Sequence, residues 1–248
     1  MKIDKLENFS KQIKGKFFFN YDLKKTNWFN IGGKTKVYFK PESLNELISF
    51  LKEFGKTEKL FILGAGSNIL VNDGIFNGVV IKLGKNFSNI SLLPNKTIVA
   101  GSATSDKNLS SFALENNISG LEFLSCIPGS IGGGIRMNSG CFDVEFKDIL
   151  LSVQAVDREG KVLTIPSSNI KFEYRTNDLP RDLIFLSASF KGNFKNKDIA
   201  KKDIEILKEK KEKTQPTKVK TGGSTFKNPK AQTEEKVWKL IKSSVPTN

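Results

Sequence analysis

Apolar residues recur every three or four positions in several stretches of the chain, which is the pattern of an amphipathic helix. Leu44, Leu47 and Leu51 belong to one such series, which Pro41 begins and Gly55 ends. The spacing predicts helices over 3–13, 41–55, 106–116, 195–213 and 234–242. The fourth of these helices is strongly basic and has few apolar positions.

Short runs of apolar and β-branched residues lie between these helices and predict strands. They cover 37–39, 60–63, 69–71, 79–83, 97–100, 152–157, 162–165 and 183–190. Arg158, Glu159 and Gly160 have the character of a hairpin turn between the sixth and seventh of these strands. Helices and strands follow each other without regular alternation, so we expect an α+β fold.

The composition is that of a globular protein with an excess of positive charge. Hydrophobic residues make up 38% of the 248 positions, and the formal net charge is +14. The excess is mostly lysine spread through the chain, which a biased genome explains as well as an anionic ligand does. Aromatic residues are not interleaved with the basic ones as a nucleic-acid surface requires, so an anionic small molecule fits better.

Histidine is absent from the sequence. Its absence excludes Ser-His-Asp triads and metal ligation by imidazole, and we predict no metal site. Any proton transfer must use another side chain. The two cysteines, Cys126 and Cys141, favour reduced thiols, with a single disulfide bridge as the alternative.

No apolar run approaches the roughly 20 residues that cross a bilayer, and the residues after Met1 lack the apolar core of a signal peptide. We therefore expect a cytoplasmic protein without a membrane partner.

The segment from Phe61 to Asn68 (FILGAGSN) is a strand that runs into a turn with two glycines. Glycine permits positive φ and close approach of the main chain, so successive N–H groups can converge on a phosphate oxygen. A Rossmann motif is excluded because position 69 is not glycine and no helix follows, and a Walker loop is excluded because Gly-Lys-Ser/Thr is lacking. A simple tight turn remains the alternative.

A second segment, Ile127 to Gly134 (IPGSIGGG), has four glycines within six positions and is followed by Met137 to Gly140. Such a run costs much conformational entropy, which favours a loop shaped for a ligand over a plain loop. Two such loops separated by strands predict one extended diphosphate ligand that both of them contact.

Two further segments carry reactive side chains. Arg175 follows Tyr174 just before a strand, where its guanidinium could bind a carboxylate or phosphate through two hydrogen bonds. For this arginine taken alone, a structural salt bridge is the favoured interpretation. The segment from Thr221 to Pro229 places Ser224 in a glycine turn near Lys220 and Lys227, whose positive charge could make the hydroxyl a better proton donor. Taken alone, this segment is simply a turn.

Taken together and in this order, these segments resemble the UDP-N-acetylenolpyruvoylglucosamine reductases, the family commonly called MurB. The similarity covers about residues 25–241 and also includes Thr26 and Asn27, Ile31 to Gly33, Asp73 to Gly78 and Gly120 to Leu124. Each motif alone is weak, but the ordered set is highly specific.

The resemblance implies an FAD-binding domain over 25–192, of the type shared with vanillyl-alcohol oxidase and p-cresol methylhydroxylase. A helix and lead-in over 1–24 precede it, and an α+β substrate-binding domain over 193–248, incomplete at its C-terminal end, follows. The implied cofactors are FAD and NADPH. The implied reaction reduces UDP-N-acetylglucosamine enolpyruvate to UDP-N-acetylmuramate in peptidoglycan precursor synthesis. We expect a monomer with no nucleic-acid partner.

The residues that the resemblance assigns to the flavin are Gly64, Ala65, Gly66, Ser67, Asn68, Ile127, Pro128, Gly129, Ser130, Gly132 and Gly133. Arg175 matches the family residue that polarises the enolpyruvyl carboxylate, and Ser224 matches the residue that supplies the proton. Tyr174, Lys227 and Asn228 are expected substrate contacts.

The C-terminal part departs from the family pattern. Lys208 to Lys213 stands where family members bring positive charge toward the substrate, so we expect it near the diphosphate. Family members continue beyond the helix that 237–241 resembles, and that continuation contains a catalytic glutamate without a counterpart here. The resemblance therefore predicts that this polypeptide binds flavin but reduces substrate slowly or not at all.

Two other functions remain as alternatives. An FAD-dependent oxidase of sugars or phenols would share the fold, although Arg175 and the segment from Gly223 to Pro229 favour the reductase. A non-catalytic nucleotide or nucleic-acid binder would use only the positive charge of the chain.

Overall fold

We describe a computed structural model over residues 3–214, 226, 228–229, 233, 235 and 237–245. In that part of the chain the helices are α1 (Ile3–Ser10), α2 (Leu44–Phe54), α3 (Asp106–Glu115), α4 (Ile131–Arg136), α5 (Phe146–Ile149), α6 (Lys197–Thr214) and α7 (Val237–Ser244). The first strands are β1 (Lys16–Asp22), β2 (Lys34–Lys40), β3 (Leu60–Ile62), β4 (Ile75–Ile81), β5 (Ile90–Leu92) and β6 (Ile98–Gly101). They are followed by β7 (Ile118–Ser119), β8 (Gly140–Cys141), β9 (Val144–Glu145), β10 (Leu150–Val156) and β11 (Val162–Pro166). The remaining strands are β12 (Phe172–Glu173), β13 (Thr176–Asn177), β14 (Ile184–Phe190) and β15 (Asn193–Phe194).

The five helices predicted from apolar spacing are confirmed as α1, α2, α3, α6 and α7, with ends that differ by a few residues. The hairpin at Arg158 to Gly160 is also confirmed, because β10 and β11 pair antiparallel on either side of it. The predicted strand over 69–71 is wrong. Those residues lie in the connection between β3 and β4, where Leu70 is 73% exposed and pairs with no neighbouring strand.

The first sheet has the strand order β1-β2-β4-β3, in which β2, β4 and β3 run parallel and β1 is antiparallel to β2. Helix α2 provides the crossover between β2 and β3. It begins where the Ser43 hydroxyl accepts a hydrogen bond from the Glu46 amide. Its apolar face, with Phe50 fully buried 4.8 Å from the Phe39 ring, covers the sheet. Burying one such side chain contributes roughly 1.5–3 kcal/mol.

The second sheet has the order β11-β10-β14-β6-β5 and is antiparallel throughout. Helices α3, α4 and α5 supply Leu109, Ile135 and Phe146 to the core that covers it, and all three side chains are fully buried. The mixed order of a largely parallel and an antiparallel sheet confirms the predicted α+β class.

The two sheets share apolar packing. Val156 of β10 and Ile184 of β14 belong to the cluster around the first sheet. The Arg158 guanidinium adds hydrogen bonds to the carbonyls of Gly55 and Glu58, just beyond α2. These contacts hold the two sheets together.

The ends of the described chain pack onto this body. In α1, Leu6 is fully buried in the cluster around the first sheet. In α6, Ala200 and Ile204 are buried, while Ile199 and Ile206 are half-exposed. The division into domains at residues 24 and 192 stays a prediction. Over the described ranges, no helix is both long and apolar enough to cross a membrane.

Candidate functional site

The first glycine turn follows β3 and is held by the segment that precedes β2. Gly66 has a φ of +76°, and a Cβ there would lie 2.2 Å from the carbonyl oxygen of Thr26. The Trp28 amide donates to the Gly66 carbonyl with an N to O distance of 2.9 Å. Both the conformation and the close approach therefore require glycine at position 66.

The amides of this turn are unpaired. Within the described residues, the N–H groups from Gly64 to Asn68 have no hydrogen-bond acceptor. Buried main-chain N–H groups are almost always paired, and Gly66 is buried while Ala65 and Asn68 are exposed, so a ligand or solvent must be the acceptor for this run. Successive N–H groups in a turn are the arrangement that binds phosphate oxygens.

The second glycine segment is half loop and half helix. Residues 127–130 form a loop and α4 begins at Ile131, so the expectation of a loop through Gly134 is wrong. A Cβ at Gly134 would lie 2.3 Å from the ring of Phe146. Tight packing of α4 on this ring explains why a helix forms despite the low helix propensity of glycine.

Three of the main-chain amides that were expected to contact phosphate donate inside the protein, and the first of them, Ile127, donates to Leu124 O at 3.1 Å. The Gly132 amide donates to Ser102 O at 2.9 Å, and the Gly129 amide donates to Ile127 O at 3.1 Å. The amides of Ser130 and Gly133 have no main-chain acceptor among the described residues. Gly129 and Gly132 therefore have no free N–H group, and their contact with the flavin stays a prediction.

The two glycine segments meet. A Cβ added to Gly64 would lie 2.9 Å from Ser130 Oγ and 4.0 Å from Gly133 Cα. Gly64 and Ser130, which carry unpaired amides, are therefore close neighbours, and a side chain at position 64 would come between them. This proximity supports the prediction from the sequence that both glycine segments contact one ligand.

Buried polar groups lie beneath the second segment. The side-chain oxygens of Ser102, Thr104, Asp106 and Ser110 are buried and, among the described residues, have no hydrogen-bond partner. A Cβ at Gly129 would lie 2.4 Å from Asp106 Oδ2, which places the carboxyl directly against the loop. Burial raises the pKa of Asp106 to about 8, so the carboxyl is mostly protonated at neutral pH.

Asp106 was not among the residues predicted from the sequence. An acidic residue in the first turn of a helix is ordinarily solvated and stabilised by the helix dipole, and nothing in the sequence distinguishes the buried case. The burial comes from the pairing of Ser105 with Ser130, which closes the loop over the carboxyl.

Arg175 occupies the turn between β12 and β13 with a φ of +62°. Its guanidinium donates to Asn138 O at 3.1 Å and to Gly140 O at 3.0 Å, and it lies 3.4 Å from a carboxylate oxygen of Glu145. The guanidinium also lies 4.8 Å from the ring centroid of Tyr174. The structural ion pair, one of the two interpretations of Arg175 from the sequence, is therefore present. It orients the guanidinium while part of the side chain stays exposed to solvent.

Asn138 organises this region and was not assigned a role from the sequence. It is fully buried, and its amide donates to Glu145 Oε2 at 2.9 Å and to Glu173 O at 3.1 Å. Its side-chain oxygen accepts from the Lys147 amide at 3.1 Å. Asn138 thus links the end of α4 to the hairpin that carries Arg175.

The remaining predicted site residues belong to the C-terminal part. Ser224 and Lys227 lie outside the described residues. Asn228 is described, and its side-chain oxygen accepts from the Val237 amide at 3.0 Å at the start of α7. Whether it also contacts substrate stays a prediction.

Both cysteines are free thiols, and they lie near Arg175 and α6. Burial raises the pKa of Cys141 to about 12; Cys126 adds to this shift, and the positive charges of Lys211 and Arg175 oppose it. Lys211, from the basic tract, donates to the Cys126 carbonyl. This contact brings the tract to the side of the site that carries Arg175. No group of three His, Cys, Asp or Glu side chains in the described part of the chain could hold a metal ion.

The chain is similar to known flavin-binding proteins. A family described as an FAD binding domain matches residues 35–166. A UDP-N-acetylenolpyruvoylglucosamine reductase from Pelagibacter ubique (strain HTCC1062) is 64% identical over 246 residues, which are 99% of this chain and 82% of that protein. The enzyme of the same name from Rickettsia conorii (strain ATCC VR-613 / Malish 7) is 44% identical over 92% of this chain and 76% of its own length.

Solved structures agree with the sequence comparisons. The crystal structure of the UDP-N-acetylenolpyruvylglucosamine reductase from Thermus caldophilus superimposes with a TM-score of 0.79 at 27% identity, covering 94% of this chain and 80% of that one. Cholesterol oxidase from B. sterolicum superimposes with a TM-score of 0.52 at 14% identity, over 73% of this chain and 38% of its own. The second likeness concerns the fold alone.

Proposed function

Because the chain belongs to the UDP-N-acetylenolpyruvoylglucosamine reductase family, we propose that it reduces UDP-N-acetylglucosamine enolpyruvate to UDP-N-acetylmuramate with electrons from NADPH. The observation that carries this function is the 64% identity to the Pelagibacter enzyme over 99% of the chain. The protein is an FAD-dependent oxidoreductase by its family, and the reaction is a step in the synthesis of peptidoglycan precursors.

The residues present fit FAD. The amides from Gly64 to Asn68 have no acceptor within the described chain, and Gly64 brings them next to Ser130 of the second segment without an intervening side chain. The main chain of Gly64 to Asn68 and of Ile127 to Gly133 would hold the diphosphate. Bound FAD supplies the hydride for the substrate after taking one from NADPH.

Arg175 is proposed to bind the carboxylate of the enolpyruvyl group. Its guanidinium is a permanent cation whose orientation is fixed by Asn138 O and Gly140 O before substrate arrives. Negative charge grows on this carboxylate as the enol ether accepts hydride. A cation that needs no rearrangement stabilises that charge most effectively.

Ser224 is proposed to donate the proton that completes the reduction. A hydroxyl can protonate a strongly basic carbon at neutral pH, and the chain has no histidine to do so. Tyr174, Lys227 and Asn228 are proposed as substrate contacts. Lys208 to Lys213 is proposed to face the substrate diphosphate, and the position of Lys211 near Cys126 and Cys141 supports this.

A flavin experiment tests the function. The purified protein should be yellow, or become so with added FAD, and NADPH should bleach it under anaerobic conditions. Addition of UDP-N-acetylglucosamine enolpyruvate should then restore the flavin absorbance, and the rate of this step tests the prediction of slow reduction. Restoration by oxygen but not by this substrate would favour a flavin oxidase, and a protein that binds no flavin would refute the assignment.

We further propose that the protein works in the cytoplasm as a monomer. Its proposed substrates, NADPH and a nucleotide sugar, are cytoplasmic metabolites. Light scattering of the FAD-loaded protein should give a mass near 27.6 kDa; twice that mass would contradict the monomer.

A further inference from the structure

The carboxylate of Glu145 lies between two cations. Its Oε1 is 3.4 Å from the Arg175 guanidinium, and its Oε2 is 3.1 Å from the Lys147 ammonium. Because Glu145 cancels only one of these cations, the three side chains together carry a net positive charge. The chemistry proposed above uses Arg175 and gives Lys147 no role.

Glu145 has hydrogen-bond partners besides Lys147. Asn138 Nδ2 donates to its Oε2 at 2.9 Å, and Arg175 donates to its Oε1. The Asp148 amide also donates to this carboxylate, in the capping box at the start of α5. Both oxygens therefore stay hydrogen-bonded when the Lys147 ammonium leaves, and no unpaired charge is left behind.

Lys147 is the member of this group that can move. Its side chain is 47% exposed, against 30% for Arg175 and 19% for Glu145. The ammonium is carried on a flexible four-carbon stem, whereas two main-chain carbonyls fix the Arg175 guanidinium. An ion pair that is half-exposed to solvent contributes little to stability, so moving the ammonium to a ligand costs little.

A carboxylate ligand of Arg175 needs a second positive charge. The pair of Arg175 and Glu145 is neutral as a whole, so an anion that binds the guanidinium is also repelled by Glu145. Lys147 is a cation already in contact with the same carboxylate, and its charge restores a net attraction. Among the described residues, Arg175 Nε has no acceptor, so this edge of the guanidinium is available to the ligand.

We propose that Lys147 is a second binding residue for the enolpyruvyl carboxylate, and that its ammonium moves from Glu145 to the carboxylate held by Arg175. This inference rests on the proposed function, because it takes from it the binding of that carboxylate by Arg175. Glu145 stays hydrogen-bonded to Asn138 and Arg175 and keeps the guanidinium oriented. Lys147 thereby recognises the charged group that distinguishes the substrate from the parent nucleotide sugar.

The test compares two nucleotide sugars. UDP-N-acetylglucosamine enolpyruvate carries the carboxylate, and UDP-N-acetylglucosamine lacks it. Each is titrated calorimetrically into the FAD-loaded protein without NADPH, so that the substrate binds and is not consumed. Lys147→Met should weaken binding of the first ligand by about 5-fold or more, the loss expected for a charged hydrogen bond that is partly exposed, and should change binding of the second by less than about 2-fold. Lys147→Arg keeps the charge and should restore most of the loss.

Lys56→Met is the matched control. Lys56 also forms an exposed ion pair with a glutamate, Glu159, at 2.7 Å, and its replacement changes the net charge of the protein by the same amount. Both dissociation constants should stay unchanged in this variant. A loss of substrate affinity as large as that of Lys147→Met would show that the net charge alone matters, and the proposal would be wrong.

A double-mutant cycle separates direct binding from an effect through Glu145. In a Glu145→Gln background Lys147 has no carboxylate to neutralise, while the carbonyls of Asn138 and Gly140 still hold Arg175. Lys147→Met should weaken substrate binding in this background too, again by about 5-fold or more. If it has no effect there, Lys147 only compensates the charge of Glu145, which contradicts the proposal.

Failure of the proposed function would give a different result. If Arg175→Met leaves the affinity for the enolpyruvyl substrate unchanged, the carboxylate does not bind at Arg175, and both the assignment of Arg175 and the inference on Lys147 are wrong. If Arg175→Met weakens substrate binding and Lys147→Met does not, the assignment of Arg175 stands and only the inference on Lys147 is wrong.

Discussion

The guanidinium of Arg175 lies 3.4 Å from Glu145, while the carboxylate of Glu145 accepts a second hydrogen bond from the buried Asn138 amide. Asn138 O in turn accepts from Arg175. The three residues form a closed network that fixes the guanidinium in a turn of unfavourable φ. A rigid cation at this position is what electrostatic stabilisation of a developing carboxylate charge requires.

Arg175→Lys should lower kcat by about 100-fold or more, because a lysine keeps the charge but loses the two-pronged geometry. The flavin spectrum and the rate of flavin reduction by NADPH should stay close to wild type. Stopped-flow measurement of both half-reactions checks this. Arg136→Lys is the matched control: Arg136 also donates to two carbonyls, those of Leu179 and Leu183, and its loss should lower stability but not kcat.

Gly66→Ala should weaken FAD binding and destabilise the protein. An alanine at a φ of +76° costs about 1–2 kcal/mol from conformation alone, and its Cβ would also clash with Thr26 O. Gly74→Ala, where no heavy atom lies within 4 Å of the added Cβ, should change stability by less than about 0.5 kcal/mol. Urea unfolding and FAD titration of the two variants measure the difference, and equal effects would contradict it.

Asp106 should make the free energy of unfolding depend on pH. Burial raises its pKa to about 8 in the folded protein, from an ordinary value of 3.8. The unfolded carboxyl therefore loses its proton near pH 4 while the folded one keeps it, so stability falls as pH rises from about 4 to about 8. Below and above this window the contribution is constant.

Asp106→Asn keeps the shape of the side chain and removes this titration. Its stability relative to wild type should rise between pH 5 and pH 8, by a few kcal/mol in total. Urea unfolding of both proteins at pH 5 and pH 8 gives the difference between their free energies of unfolding. The contributions of the other titrating groups cancel in this difference. Parallel pH dependences of the two proteins would show that Asp106 does not hold a proton at neutral pH.

The cysteines should be unreactive in the folded protein. Burial and the nearby Cys126 raise the pKa of Cys141 to about 12, and Cys126 is itself buried. Since the thiolate is the reactive form, modification of Cys141 by a disulfide reagent at pH 8 should be at least about 100-fold slower than that of a free thiol. After unfolding without reductant, two thiols should react with the reagent. If none reacts, the two cysteines form a disulfide bridge.

The helices of this protein were predictable because local spacing decides them. Leu47, Phe50 and Leu51 in α2 are spaced so that a helix places all three on one face, where they can be buried together. Helix α4 was missed for the opposite reason. Its glycines disfavour a helix, and contacts with distant residues, among them the Phe146 ring and the carbonyls of Ser102 and Thr104, stabilise it.

The sequence by itself determined the α+β class, the family and the two glycine segments, because these depend on the order of short local patterns. Only the tertiary structure decided that Gly64 faces Ser130, that Asp106 is buried beneath a loop, and that Arg175 lies against Glu145. Those relationships depend on strand register and on contacts between distant residues. No local pattern predicts them, because the burial of a residue and the charges around it depend on which distant residues the fold brings next to it.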